Sequence, residues 1–401
     1  MKFTALALSA LCVASPLANA DAVSDWNKLA CTWVADAKLG TTPAVRVLAI
    51  AHTAVYDAVN GITHKYPAQS GSQAADASVD AAVAAANRAA LTKLLPSQSA
   101  AIESAYNTSL AAIAEGPAKA AGIAAGEAAA AAVLAARAND GAAAQESYRP
   151  ATAAGVYVPT TVPAVPQWPA RKPWVMTSGA QFRPGPPPAL ASDAWARDFA
   201  EIKAVGAKTG STRTQGQTDM ALFWEATLPS IYHGVLRSIA DQRDREITRN
   251  ARLFAAATQA MDDAIIAVFD AKYHYNFWRP ITAIRNADVD GNDKTERNPS
   301  WTPLIDTPMH PEYPCAHCII SGALGTVIQA EGGKEKLPKL VTTSHLVKDS
   351  ERSWVTTDEF IQEVANARIY DGVHYRNSTE VGTAMGRKVG ELAARKFFGP
   401  Q

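Results

Sequence analysis

Cysteine is scarce: four in 401 residues, at positions 12, 31, 315 and 318. Cys12 falls in an expected leader, so three remain. An odd set of three allows at most one internal bridge and is no disulfide framework. Net charge is absent too, with 38 Lys and Arg against 38 Asp and Glu. That balance lacks the basic excess of a nucleic-acid binder. Beyond the first twenty residues no stretch reaches about 18 uninterrupted apolar residues, so no membrane span is expected. Sustained two-residue alternation is lacking as well, which argues against a sheet protein. What is present is a globular composition, 48% hydrophobic and 19% charged, long enough for a sizeable core.

The first twenty residues read as a secretory signal. Met1-Lys2 gives a short positive start, Phe3 to Ala14 an apolar run, and Ala18-Asn19-Ala20 a small-residue cleavage site. A periplasmic or secreted protein is therefore expected. Residues 21–146 read as an N-terminal helical bundle, 147–191 as a proline- and aromatic-rich connector, and 192–401 as a C-terminal helical bundle. The expected class is all-α.

Apolar residues recur every three to four positions in 21–36 and 42–60, as a buried helix face requires, and Gly61 is expected to end the second helix. His52 inside it reads as a hydrogen-bonded core residue. Residues 74–143 are alanine-dense but carry Leu91, Ile102, Tyr106 and Leu110 at helical spacing. Pro96-Ser97 and Gly116-Pro117 mark the breaks. The connector holds Trp168, Trp174, Tyr157 and Phe182 among its prolines, so it reads as a segment pinned across the helices rather than a tether. Ser192-Asp193 reads as an N-cap. Further helices are expected at 194–205, 218–225, 231–240, 241–275, 315–330, 357–369 and 379–398. The loop 281–306 holds Asp288, Asp290 and Asp293, but its closing acidic residue stands at the wrong distance for a calcium loop.

Three clusters carry the chemistry. Lys272 and Arg279 are seven apart, two turns of a helix, which predicts both cations on one face, with Pro280 ending or kinking the helix just beyond. Pro314-Cys315-Ala316-His317-Cys318 opens the next helix, whose free amides near Cys315 and Ala316 suit an anion. Arg368 and His374 flank Gly372, which permits a chain break that could aim both at one site. An ammonium and planar guanidinium forks suit a tetrahedral oxyanion such as phosphate or vanadate. Each residue alone is ordinary on a solvated helix. The ordered combination K-x6-R-P, P-x-x-H, R-x5-H is specific.

That combination resembles the vanadium-dependent haloperoxidase and phosphatidic-acid-phosphatase superfamily, in its bacterial haloperoxidase-like branch. Residues 46–60, Pro184 to Pro188, and 213–218 before Phe223-Trp224 resemble it more softly. The resemblance implies two helical bundles with the anion site in the C-terminal one. It implies that Lys272, Arg279 and Arg368 hold the oxyanion's equatorial oxygens and that Cys315 and Ala316 lie against it. His374 would be the axial group, a vanadium ligand in a peroxidase or the nucleophile of a phosphohistidine in a phosphatase. His317 would be the general acid–base, and His310 a pocket residue pointing to bromide or iodide. The implied cofactor is vanadate, acting as a Lewis acid toward hydrogen peroxide, or none in a phosphatase. The implied partners are small molecules: peroxide with halide, or a phosphate ester.

Two positions depart from the family's pattern. Cys315 stands where a serine hydroxyl is usual, and offers only a weak S–H donor or a thiolate. Ser378 stands four after His374, where phosphatases place an orienting Asp. The first leaves open a degenerate, non-enzymatic anion-binding protein. The second counts against an efficient phosphatase. Cys315-Ala-His-Cys318 also invites reading as a C-x-x-C redox pair, without the strand–helix alternation of a thioredoxin-like fold. A bridge between Cys318 and Cys31 is a further possibility.

Overall fold

The computed structural model describes residues 21–67, 75–227, 229–333, 335–347 and 349–399; the expected leader, 1–20, lies outside them. Among the described residues, thirteen α-helices and one two-stranded ribbon make the fold. They are α1 (Ala22–Asp36), α2 (Thr41–Thr63), α3 (Val79–Leu94), α4 (Ser99–Ala111), α5 (Pro117–Arg137), α6 (Asp193–Val205) and α7 (Gln215–Trp224). After these come α8 (Ser230–Ala240), α9 (Ile247–Tyr275), α10 (Pro280–Arg285), α11 (Ala316–Gly332), β1 (Leu340–Thr343), β2 (Glu351–Trp354), α12 (Thr357–Tyr370) and α13 (Arg376–Phe398).

The all-α class holds, with helices grouped around α9. This helix is buried nearly all round, from Thr248 to Lys272, and so must be enclosed by others. On one side α2, α3 and α5 pack together and reach α9 through α2; on the other, α11, α12 and α13 do so. One continuous apolar core runs through both groups. Among the described residues, α5 is the one helix long and apolar enough to cross a membrane, and it packs against α2 and α3.

Local chemistry explains most boundaries. Asp21 caps α1 by accepting from Ser24 N, Ser192 caps α6, and Thr214 and Thr356 close capping boxes. Gly61 does not end α2; the helix runs two residues further and stops at His64, which takes the left-handed conformation. The predicted helix 241–275 begins only at Ile247, where Glu246 caps it through Thr248 N and Arg249 N. The ribbon β1–β2 was not expected. Four-residue strands are too short to show alternation, and this pair is seated by Thr342 Oγ1 donating to Ile231 O.

The connector is pinned by α9 carboxylates. Asp263 accepts from the amides of Trp174, Val175 and Met176 at 2.7, 2.8 and 2.9 Å. Asp262 takes both prongs of Arg171 and the indole N–H of Trp174. Arg171 also reaches Asp140, which pairs with Arg46 of α2. Breaking such a fully buried pair costs about 3–5 kcal/mol. Farther along, the connector meets the C-terminal half directly: Tyr157 N donates to Asn276 O, Trp278 N to Gly155 O, and Ala164 N to Met309 O. It thus frames the two loops that carry the site.

Candidate oxyanion site

Lys272 and Arg279 do not share a helix face. The chain leaves α9 at Asn276, which adopts φ 49°, and Arg279 is the N-cap of α10 with Pro280 at its first position. Proline starts a helix here instead of ending one. Phe277 and Trp278 between the cations are drawn into a second apolar cluster with Trp195 and Tyr375, and that packing overrides helical propagation. The two cations still converge. Lys272 Nζ donates to Pro311 O (2.9 Å) and Glu312 O (2.7 Å), leaving one of its three N–H donors uncommitted. Arg279 donates to His310 O, to Val373 O and to His310 Nδ1. Both side chains are buried, with relative exposures of 0% and 1%.

Arg368 closes α12. Gly372, at φ +86°, turns the chain so that His374 enters the same space before α13 begins. Arg368 Nη1 donates to Trp224 O at 2.9 Å and lies 2.8 Å from Asp371 Oδ2, a charge contact without hydrogen-bond alignment. Its Nε has no hydrogen-bond partner among the described residues. His374 Nδ1 lies 2.7 Å from Glu312 Oε1, which also accepts from Tyr375 N. A carboxylate acceptor fixes the proton on Nδ1, so Nε2 keeps its lone pair, 3.4 Å from Arg279 Nη1.

Glu312 was not foreseen, and it corrects the inference drawn from Ser378. Ser378 Oγ lies 3.4 Å from His374 Nδ1 and hydrogen-bonds the Glu312 carboxylate, so it supports that carboxylate rather than replacing it. The orienting carboxylate comes from the loop before α11 instead of the turn after the histidine. Its one signal in the sequence is that Glu312 is the only carboxylate between His310 and His317.

Cys315 is the N-cap of α11, and its sulfur is bonded to Cys318, not left as a thiol; Cys31 stays a separate buried thiol. Its own amide donates to Ser378 O, so Cys315 offers an oxyanion neither an S–H nor an N–H. The amides of Ala316 and His317, first and second in the helix, lack intrahelical partners by helix geometry. His317 Nε2 lies 3.3 Å from Ala226 O, which places its proton there and leaves Nδ1 as the other reactive nitrogen. His310 lies against Phe269, with ring centroids 5.2 Å apart. The aspartates of the 281–306 loop serve structure: Asp290 accepts from Trp195 Nε1, Thr295 Oγ1 and Asn292 N. His52 is a buried core residue bonded to Asn27 at 2.8 Å.

The electrostatics ask for an anion. Burial, then Arg279, hold Lys272 well below the ordinary lysine range. Burial lowers Arg279 to about 10. His310, His317 and His374 are all pushed down by burial and then by these cations. Burial raises Glu312 to about 7 and Asp371 to about 6. Lys272, Arg279 and Arg368 are buried beside two carboxylates, and burial works against the charged forms of Lys272 and Arg279, which a bound anion would favour. An uncommitted ammonium donor, the orphaned Arg368 Nε and the free α11 amides fit vanadate or phosphate.

Comparison with known proteins bears on the fold and on the helices that carry these residues. Residues 252–399 match the family described as the VCPO second helical-bundle domain. The vanadium chloroperoxidase of Curvularia inaequalis is 28% identical over 149 residues, 31% of this chain and 24% of that protein, so the match spans about a quarter of the relative's length. Among solved structures, a bacterial vanadium-dependent iodoperoxidase superposes with a TM-score of 0.80 at 24% identity, covering 94% of this chain and 95% of its own. A holo-type bacterial vanadium-dependent chloroperoxidase gives 0.70 at 18% identity, covering 90% and 94%. The two structural likenesses speak for the fold, and the bundle match for the helices that carry the site. The chain thus has the fold of these vanadium-dependent haloperoxidase structures, and its residues 252–399 match the VCPO second helical-bundle domain.

Proposed function

We propose that the protein is an exported, periplasmic or secreted haloperoxidase that uses vanadate and hydrogen peroxide to oxidise iodide or bromide. The observation that carries this reading is His374. Its Nδ1 is held by buried Glu312, and its Nε2 lone pair faces Arg279, with Lys272 and Arg368 nearby. That nitrogen would ligate vanadium, while Lys272, Arg279 and Arg368 would hold the oxyanion's oxygens. Bound vanadate supplies a Lewis acid that polarises peroxide. The amides of Ala316 and His317 add neutral donors, and His317 Nδ1 takes or returns a proton. His310 beside Phe269, together with the likeness to an iodoperoxidase, favours iodide or bromide over chloride.

A phosphatase is the second reading, and Glu312 favours it. A carboxylate on Nδ1 makes Nε2 of His374 a better nucleophile for a phosphohistidine, with His317 protonating the leaving group. The test runs phosphate-free protein with orthovanadate, peroxide and iodide or bromide, and p-nitrophenyl phosphate in parallel. Vanadate-dependent halide oxidation supports the peroxidase. Phosphate release that vanadate inhibits, without halide oxidation, replaces it with the phosphatase. Silence in both leaves a non-enzymatic anion-binding protein.

A further inference from the structure

The oxyanion reading makes no use of the sulfur pair that closes the first turn of α11. Cys315 and Cys318, with Cα atoms 5.3 Å apart, bracket Ala316 and His317, the residues proposed above to offer amides and an imidazole to the anion. Both cysteines are fully buried and form a small apolar cluster with Ala365 of α12. The turn is tied to α13 by Cys315 N donating to Ser378 O at 3.1 Å, and Ser378 lies beside His374. The α13 backbone presses on it at Gly382, where a β-carbon would fall 2.6 Å from Cys315 O and 3.2 Å from Cys318 Cβ.

This packing leaves little slack. A disulfide holds its sulfurs about 2 Å apart, whereas two thiols in van der Waals contact need about 3.5–4 Å. In a close-packed interior that extra space comes from moving something. Here the movable parts are the turn carrying His317 and the start of α13 following His374. Ala316, between the two cysteines, is partly exposed, while His317 and both sulfurs are buried.

We propose that Cys315 and Cys318 form a second redox site, oxidised by hydrogen peroxide and reduced by a small dithiol, whose state sets the anion affinity of the neighbouring pocket. In oxidation the S–S bond forms and the peroxide O–O bond breaks. The two sulfurs together give up two electrons and two protons, and two water molecules leave. In reduction an external dithiol exchanges through a mixed disulfide, departs as its own disulfide and leaves two protein thiols. The disulfide holds the α11 amides and His317 in register with His374, and the dithiol form loosens them. This inference rests on the oxyanion reading of the pocket.

The test compares the full chain as isolated with the chain treated with a water-soluble phosphine that is then removed. The measurements are thiol count, inorganic phosphate affinity by calorimetry, and amide hydrogen exchange across 315–321 and 376–382. Phosphate is the probe because reductants also reduce vanadate. The expected result is two new thiols, phosphate affinity lower by about tenfold or more, and faster exchange in both segments. One equivalent of peroxide should restore all three, and Cys318→Ala should respond to neither reagent. Two new thiols with unchanged exchange and affinity would overturn the proposal, as would a thiol count that does not rise in the folded protein. If the oxidised form binds no phosphate, the oxyanion reading fails, while the exchange data still decide whether redox state moves the turn.

Discussion

Glu312 Oε1 lies 2.7 Å from His374 Nδ1, joining two buried side chains that are 62 positions apart in the chain. The contact fixes the imidazole tautomer and leaves Nε2 open toward Arg279. Replacing Glu312 by Gln keeps the shape and removes the charge. We expect kcat to fall about 10–100-fold with a smaller change in KM, and Ser378→Ala to change kcat by less than about threefold. Steady-state kinetics on both variants checks this; a wild-type rate in Glu312→Gln would remove the carboxylate from the mechanism.

Anion affinity is expected to rise as pH falls from 8 to 5. Ionised Glu312 and Asp371 offset two positive charges of the site, and protonating both removes that offset. Burial places those steps at about 7 and about 6. Protonation therefore removes negative charge from the pocket and strengthens its pull on an anion, by about tenfold or more over the range. Sulfate is the suitable probe, since it stays a dianion throughout. Glu312→Gln should lose the upper step, and Asp371→Asn should lose the lower step and bind sulfate more tightly at pH 7.5. A flat sulfate profile in the wild type contradicts the charge account.

Asp262→Ala should destabilise the fold without touching the pocket chemistry. It strips Arg171 of a bidentate partner in a site where both side chains have 0% exposure. The expected loss is about 3–5 kcal/mol in denaturant unfolding. Anion affinity of the protein that remains folded should stay within about twofold of wild type. A loss below about 1 kcal/mol would mean that Asp140 alone satisfies Arg171.

Much of this architecture could be read from residue order. Pro96-Ser97 and Gly116-Pro117 break the alanine-rich region where the structure does, because proline and glycine act locally. Ser192 caps α6 for the same reason. The aromatics of the connector foretold its pinning, though not its anchors, Asp262 and Asp263, since buried ion pairs leave no periodic trace. The geometry of Lys272 and Arg279 was misread because a seven-residue spacing implies one face only if the helix continues. The pull of Phe277 and Trp278 into a separate cluster stops it at Asn276. Glu312 escaped notice because its role depends on a contact 62 residues away. The pairing of Cys315 with Cys318 rather than Cys31 depends likewise on tertiary placement.

His374→Ala should remove the group proposed to ligate vanadium or carry phosphate while leaving Lys272, Arg279 and Arg368 in place. Calorimetric titration of orthovanadate into phosphate-free wild type and this variant tests the central claim most directly. The account predicts one vanadate per chain in the wild type and an affinity lower by about 100-fold or more in the variant. Equal binding by the two proteins, or none by the wild type, would contradict it.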